Sequence, residues 1–315
     1  MGDVVHNLPV VADLHAAMPD CRIDWVVEEA FSAIPRLHPH VEQVIPVAIR
    51  RWRKHPFAAR TREELHDLRH RLRQTHYDDI IDSQGLLKSA LLTWMANGHS
   101  HGLDWNSSRE PLRIFYDRVY AVPWSAHAVQ RNRSLAAEAL GYTICETPEY
   151  GISTKPESTA VLESAFAMPL TGEIAVLLHA TSAMKKEWPE DNWVQLGKRL
   201  AARGMISVLP SGNEVEQARS NRLASRIPGA RIPPALNLDL LAALMSRARI
   251  VVGVDTGLTH LAVALNRPTI GLYCATDPAA TGLYGSPRAL NLGGIGMIPS
   301  VNEVAGALQC LVKVI

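Results

Sequence analysis

The sequence predicts an α/β protein built from two doubly wound, Rossmann-like domains. Three observations predict it. The chain has 315 residues, more than one ordinary α/β core holds and enough for two domains of about 150 residues each. Short apolar runs alternate with amphipathic stretches throughout, the pattern of parallel strands covered by helices on both faces. The rhythm occurs twice, on either side of a polar stretch at Cys145–Ser158, which divides the chain into domains 1–150 and 151–315.

In the first half the apolar runs predict strands at Ile23–Glu28, Gln43–Val47, Asp79–Asp82 and Val119–Val122. Amphipathic spacing predicts helices at Val4–Met18, Thr61–Thr75, Leu86–Ala96 and Ala126–Leu140. In the second half strands are expected at Ile174–His179, Met205–Pro210, Ile250–Asp255 and Thr269–Tyr273. Helices follow at Asn192–Arg203, Glu214–Arg226, Leu238–Ser246 and Leu258–Leu265, and Ser300 with Glu303 has the spacing of a capping box opening a last helix. The opening, MGDVVHNLPVV, reads as a loop feeding straight into a helix. A doubly wound domain carries a strand ahead of such a loop. The first, central strand of the N-terminal domain is therefore expected to be missing, leaving neighbouring strand edges open and Asp3 on a frayed end.

Composition excludes several classes. The apolar share of 47% suits a packed globular protein, and the net charge of +1 argues against a nucleic-acid partner. The four cysteines, Cys21, Cys145, Cys274 and Cys310, form no CxxC pair or zinc pattern. They are expected to be small core residues in a reducing compartment. No signal-like opening and no apolar run of membrane-spanning length occurs, so a soluble, cytoplasmic protein is expected. There is no GxSxG, P-loop or GxGxxG motif after a strand. His66 and His70 lack the carboxylate of HExxH, and His38, His40, His99 and His101 read as loop residues.

Five places carry candidate chemistry, each with a plainer structural alternative. Gly2-Asp3 puts a carboxylate at the carboxyl edge of a sheet, where it suits proton removal from a hydroxyl or, more simply, a helix N-cap. HATSAMKKEW at 179–188 ends a strand in hydroxyls and lysines, a set suited to a diphosphate or to a solvated loop. VDTGLTH at 254–260 stops a buried strand at Asp255 and starts an apolar helix at a glycine. That is an anion site with Thr256 and Thr259 as added donors, or an ordinary N-cap turn. Glu216 suits ribose hydroxyls, or is a surface helix glutamate. Residues 50–73 hold nine Lys or Arg against Glu63, Glu64 and Asp67, a local balance of +6 that calls for an anionic partner. Arg50–Lys54, directly after a strand, is read as ligand-binding, with Trp52 available to lie against a ring or an apolar surface. Arg69, Arg71 and Arg73 are read as a solvated helix face.

Taken together, MGD at 1–3, WVVEE at 25–29, VIPVAIRRWRK at 44–54, DSQGLLKSA at 82–90, HATS followed by Lys186 and WP at 179–189, and VDTGLTHLAVAL at 254–265 resemble the heptosyltransferase I family. This is a branch of the lipopolysaccharide heptosyltransferases in glycosyltransferase family 9. The resemblance covers nearly the whole chain with the motifs in family order. It implies a GT-B fold, two facing Rossmann-like domains with the active site in the cleft. It implies transfer of L-glycero-D-manno-heptose from ADP-heptose to the Kdo of Kdo2-lipid A, inverting the anomeric centre, in inner-core assembly.

By the same resemblance Asp3 corresponds to the general base and Lys186 to the lysine that stabilises the leaving diphosphate. Thr181, Ser182, Thr256, Gly257 and Thr259 correspond to phosphate-loop residues, Glu216 to the ribose ligand, and Asp255 to an aspartate near the heptose. His260 closes the last motif, and Arg50, Arg53, Lys54 and Arg109 fall where acceptor phosphates and carboxylates are expected. No cofactor and no metal are expected. A monomer in peripheral contact with the cytoplasmic face of the inner membrane is implied. The alternatives are heptosyltransferase II, another GT-B transferase or sugar-nucleotide epimerase, and a truncated, inactive protein that still binds ADP-sugar.

Overall fold

The protein is described here by a computed structural model covering residues 1–165, 172–181 and 183–313. It contains two compact units, His6–Glu149 and a second made of Met1–Val5 with Tyr150–Ile315. The first unit runs α1 (Gly2–Ala17, its first turn belonging to the other unit), β1 (Ile23–Glu28), β2 (Val41–Val47), α2 (Ile49–Trp52) and α3 (Ala59–Gln74). It continues with β3 (His76–Ile81), α4 (Leu87–Met95), β4 (Asn97–Leu103), β5 (Arg118–Tyr120) and α5 (Ala128–Leu140).

All strand pairs in this unit are parallel, but they form two sheets, β1-β2 and β3-β4-β5. The expectation of an incomplete N-terminal sheet takes this physical form: β1 and β3 are edges of separate sheets. Side chains join them. Tyr77 Oη on β3 donates to Asp24 Oδ2 on β1 at 2.9 Å. Val10 and Leu14 of α1 and Ala136 of α5 form an apolar cluster that gathers Ile23 of β1 and Ile81 of β3. Arg133 of α5 clamps Asp13 of α1 with two bonds of 2.6 and 2.8 Å, both side chains buried.

The second unit contains α6 (Pro156–Ala165), β6 (Ile174–Leu178), α7 (Glu190–Ala201), β7 (Ile206–Val208), α8 (Glu214–Ala224) and α9 (Leu238–Arg247). After these come β8 (Ile250–Val254), α10 (Gly257–Ala264), β9 (Thr269–Tyr273), α11 (Pro278–Thr281), β10 (Ala289–Gly293) and α12 (Val301–Lys313). Its five parallel strands lie in the order β10-β9-β8-β6-β7, one of the two common doubly wound orders. Every residue of β6, β8 and β9 is buried, as continuous apolar strands covered on both faces must be. Trp188 and Trp193 pack edge to face in this core, 5.1 Å apart. The expected capping box opens α12: Ser300 N donates to Glu303 Oε2 at 2.7 Å, and Glu303 N to Ser300 Oγ at 3.2 Å.

Several expectations are corrected. The segment at 97–103, with His99 and His101, is strand β4, not a loop. Its polar side chains replace apolar burial with cross-strand bonds, His101 reaching Asp79 on β3 at 2.8 Å and Tyr120 on β5 at 3.0 Å. Such a strand has no apolar run to betray it. Helix α6 begins at Pro156, inside the stretch read as polar connection. Of the four cysteines only Cys274 is buried, whereas Cys21, Cys145 and Cys310 are exposed because they lie in a turn, a connection and on the outer face of α12.

Candidate functional site

In the second unit β6 and β8 are neighbours, but the chain leaves β6 toward β7 and leaves β8 toward β9. Their carboxyl ends therefore diverge, and such a switch point opens a crevice in which doubly wound sheets bind ligands. The two motifs singled out in the sequence, 179–188 and 254–260, begin at these two strand ends.

Asp255 is the knot of the crevice. Its Oδ2 receives Lys186 Nζ from the β6 loop at 2.7 Å and Thr276 Oγ1 from the β9 loop at 2.7 Å. Thr181 Oγ1 donates to its backbone carbonyl at 3.2 Å. One carboxylate thus gathers the loops from three adjacent strands and holds the ammonium group of Lys186, which stays 27% exposed. Ser182 lies outside the described residues.

The β6 loop is pinned at both ends. His179 is fully buried, and its Nε2 meets Ser220 Oγ at 2.8 Å. Burial, helped by the Arg219 charge, pushes its pKa down to about 4, so the imidazole is neutral at ordinary pH. Downstream, Arg219 pairs with Glu187 and donates to Trp188 O, while Trp188 Nε1 donates to Pro299 O at 2.7 Å.

Helix α10 begins directly after Asp255. Thr256 is its N-cap residue, with an extended backbone and no capping bond from its side chain, so the first-turn N–H groups keep their affinity for an anion. Gly253 has no Cβ, and one there would collide with Thr259, whose hydroxyl donates to Val254 O at 2.7 Å. Thr259 and His260 are both buried, beneath the helix start. At Gly257 a Cβ would lie 2.6 Å from Met1 Cβ, and Gly2 approaches His260. The first residues of the chain, with Asp3 exposed in the first turn of α1, therefore lie against the start of α10.

Glu216 lies one strand further along, at the start of α8 after β7. Both its carboxylate oxygens are engaged locally, Oε2 by Gly212 N at 2.7 Å and Oε1 by Asn213 Nδ2 at 2.8 Å. Asn213 in turn accepts from Glu216 N at 2.9 Å, a reciprocal cap.

In the first unit α2 follows β2 immediately. Arg50 lies over the ring of Phe31, 4.9 Å from its centre, and its N–H donates to Glu28. Arg53, Lys54 and Arg109 are exposed. Trp52, expected to lie against a ring or an apolar surface, does the second: it is buried in the apolar cluster of Ile45, Val47, Leu68 and Leu72. Its Nε1 donates to Glu64 at 2.6 Å, and Glu64 also binds Arg51 and Arg60. These donors hold the Glu64 carboxylate down to about 2. The tryptophan thus anchors α2 to α3.

The sequence profile of Glycosyltransferase family 9 (heptosyltransferase) matches residues 65–304. Lipopolysaccharide heptosyltransferase 1 of Escherichia coli K12 is 44% identical over 90% of this chain and 88% of its own length. The chain belongs to glycosyltransferase family 9. Within the family, lipopolysaccharide heptosyltransferase 2 of the same strain is only 23% identical, over 89% of this chain and 82% of its own length. Two solved family 9 structures match almost end to end. The E. coli heptosyltransferase WaaC with ADP superposes with a TM-score of 0.89 at 40% identity, covering 99% of this chain and 97% of that one. WaaC with ADP-2-deoxy-2-fluoro heptose gives 0.85 at 41%, covering 98% and 96%. The fold is thus GT-B, the class of these family 9 enzymes, and the protein is a glycosyltransferase.

Reading the sequence alone missed Thr276, the third member of the Asp255 cluster. Its signal was available: CATDP follows a buried strand with a small hydroxyl residue, as HATS does. Arg219 was also missed, and no local signal marks it, because a helix arginine that anchors a distant loop looks like a solvated one.

Proposed function

We propose that this chain transfers L-glycero-D-manno-heptose from ADP-heptose to the Kdo sugar of Kdo2-lipid A, inverting the anomeric centre, at the cytoplasmic face of the inner membrane. The observation that carries the reading is the Lys186–Asp255–Thr276 cluster at the strand switch point, beside an uncapped helix start. The likeness to heptosyltransferase 1, far above that to heptosyltransferase 2, supports the choice of acceptor.

The Asp3 carboxylate takes the proton of the attacking Kdo hydroxyl. The hydroxyl oxygen forms its bond to the heptose C1 as the bond from C1 to the phosphate oxygen breaks, and that electron pair leaves with ADP. Lys186, the N–H of the N-cap Thr256 and the first N–H of α10 at Gly257 take up the charge that develops on the diphosphate. Lys186 exchanges its bond to Asp255 for one to phosphate, freeing the Asp255 carboxylate for the heptose hydroxyls. Thr181, Ser182 and Thr259 shape the phosphate loop, and His260 supports the helix start from below. Glu216 keeps lone pairs for the ribose while holding its cap. Arg50, Arg53, Lys54 and Arg109 receive the acceptor's phosphates and carboxylates. Domain 1–150 is accordingly the acceptor-binding part and 151–315 the ADP-sugar-binding part.

The test is incubation of the full chain with ADP-heptose and Kdo2-lipid A. Heptosylated Kdo2-lipid A and one equivalent of ADP are expected by mass spectrometry and chromatography. ADP binding without product supports the inactive-protein alternative instead and overturns the proposal.

A further inference from the structure

Helix α4 is packed on three sides and open on the fourth. Leu92 and Met95 pack against the α3 cluster, and Ala90 packs against Leu112, Phe115 and Tyr116. The fourth side carries Leu87, Leu91 and Trp94, at helical spacing on one stripe, exposed by 47, 43 and 64%. Three large apolar side chains in a row on a short solvated helix are not scattered surface residues. Ile114, next to Phe115 on the turn that packs on α4, is also 88% exposed.

The border of this strip toward α3 is cationic. Within α3 the arginines divide by face. Arg60 and Arg71 lie on the flank with Glu64 and Asp67, where Arg60 binds Glu64 and Arg71 reaches Gln43 of β2. Arg62, Arg69 and Arg73 recur with His66 on the other flank, which helical spacing leaves without a carboxylate. That flank faces α4, because Arg73 Nε donates to Met95 O at the end of α4. Lys88, exposed, adds a charge on the α3 side of the strip. Glu110, at the start of α4, has its carboxylate engaged by Leu87 N at 2.6 Å.

An apolar strip with tryptophan, bordered along its α3 side by long cationic side chains, matches a lipid interface: acyl chains take the strip and anionic headgroups take the basic border. The geometry points to the open face of α4, with the basic flank of α3, as the surface by which this protein sits on an anionic bilayer. The inference rests on the reading that the acceptor is a lipid-borne sugar. It gives the arginine surplus at 50–73 two separate uses, Arg50–Lys54 for the acceptor and Arg62, Arg69 and Arg73 for the bilayer.

The experiment is vesicle cosedimentation of the full chain without donor or acceptor. It uses phosphatidylethanolamine with phosphatidylglycerol at three to one, and phosphatidylcholine alone as the neutral probe. Wild type is expected to bind the anionic vesicles, less so as salt rises, and to leave the neutral ones largely unbound. Leu91→Ser/Trp94→Ser and, separately, Arg62→Glu/Arg69→Glu are expected to weaken anionic binding about tenfold or more. Both variants should keep wild-type turnover on a water-soluble Kdo acceptor without acyl chains. Wild type that ignores anionic vesicles, or variants that bind them equally well, would overturn the assignment. So would a vesicle-free dimer that Leu91→Ser/Trp94→Ser disperses, which would give the face to a second copy. If wild type fails on the soluble acceptor yet binds vesicles as described, the reaction reading fails while the surface stands.

Discussion

Asp255 shows how much chemistry one residue organises. Its Oδ2 is shared by an ammonium and a hydroxyl, so Thr276 limits where that oxygen points and hence where Lys186 waits. Thr276→Val removes the hydroxyl at nearly constant volume. The expected outcome is a loss of about tenfold in turnover, roughly 1.4 kcal/mol, with little change in the donor Michaelis constant. Steady-state kinetics checks it, and an unchanged kcat would reduce Thr276 to a spectator. His179 carries a second prediction, together with His38 of the first unit. Both are buried, and burial, the largest cause in each case, pushes both to about 4 from 6.5. The folded pKa lies below the unfolded one, so acid favours the unfolded chain, which takes up protons the folded chain refuses. Stability is therefore full above about pH 6.5 and declines as pH falls toward 4, by up to about 1.4 kcal/mol per pH unit for each histidine. Urea midpoints between pH 7.5 and 4.5 check this, and His38→Asn should flatten the decline in the first unit. A midpoint that holds steady or rises on acidification contradicts it.

Among the elements, those with a clear apolar period were legible in the sequence and those held by polar or long-range contacts were not. Strand β9 at Thr269–Tyr273 and helix α9 starting at Leu238 follow directly from their patterns. Strand β4 did not, because its order comes from His101 bonding across to Asp79 and Tyr120. The candidate site divides in the same way. The β6 and β8 loops were legible because hydroxyls, lysine and glycine follow apolar strands, whereas Thr276 joined them only through the strand order. For Trp52 the sequence left a ring and an apolar surface both open, and only Glu64 and the α3 cluster around it decide for the second. Helix α1 packs Val10 and Leu14 with Ile23 and Ile81, one from each sheet of the first unit, and its buried Asp13 compensates the fully buried Arg133. Asp13→Asn leaves that guanidinium without a counter-charge and is expected to cost about 3–5 kcal/mol. Chemical denaturation measures it, and a loss below about 1 kcal/mol would show that α1 is held by its apolar contacts alone.

For the whole molecule, the two units differ in what their sequences specify. The second unit is a complete five-stranded sheet whose strand order creates the crevice, and its apolar strands announced it. The first unit contributes parallel strands in two sheets, with exposed basic and apolar side chains. Membership of family 9 brings both under one reaction, in which the departing diphosphate is the charge that must be met. In the proposed mechanism Lys186 meets it, and the measurement that tests this most directly is heptose transfer by Lys186→Ala at saturating donor. The account predicts that turnover falls by about 10²–10³ while the donor Michaelis constant moves much less. Turnover equal to wild type, or a loss confined to the donor Michaelis constant, would contradict it.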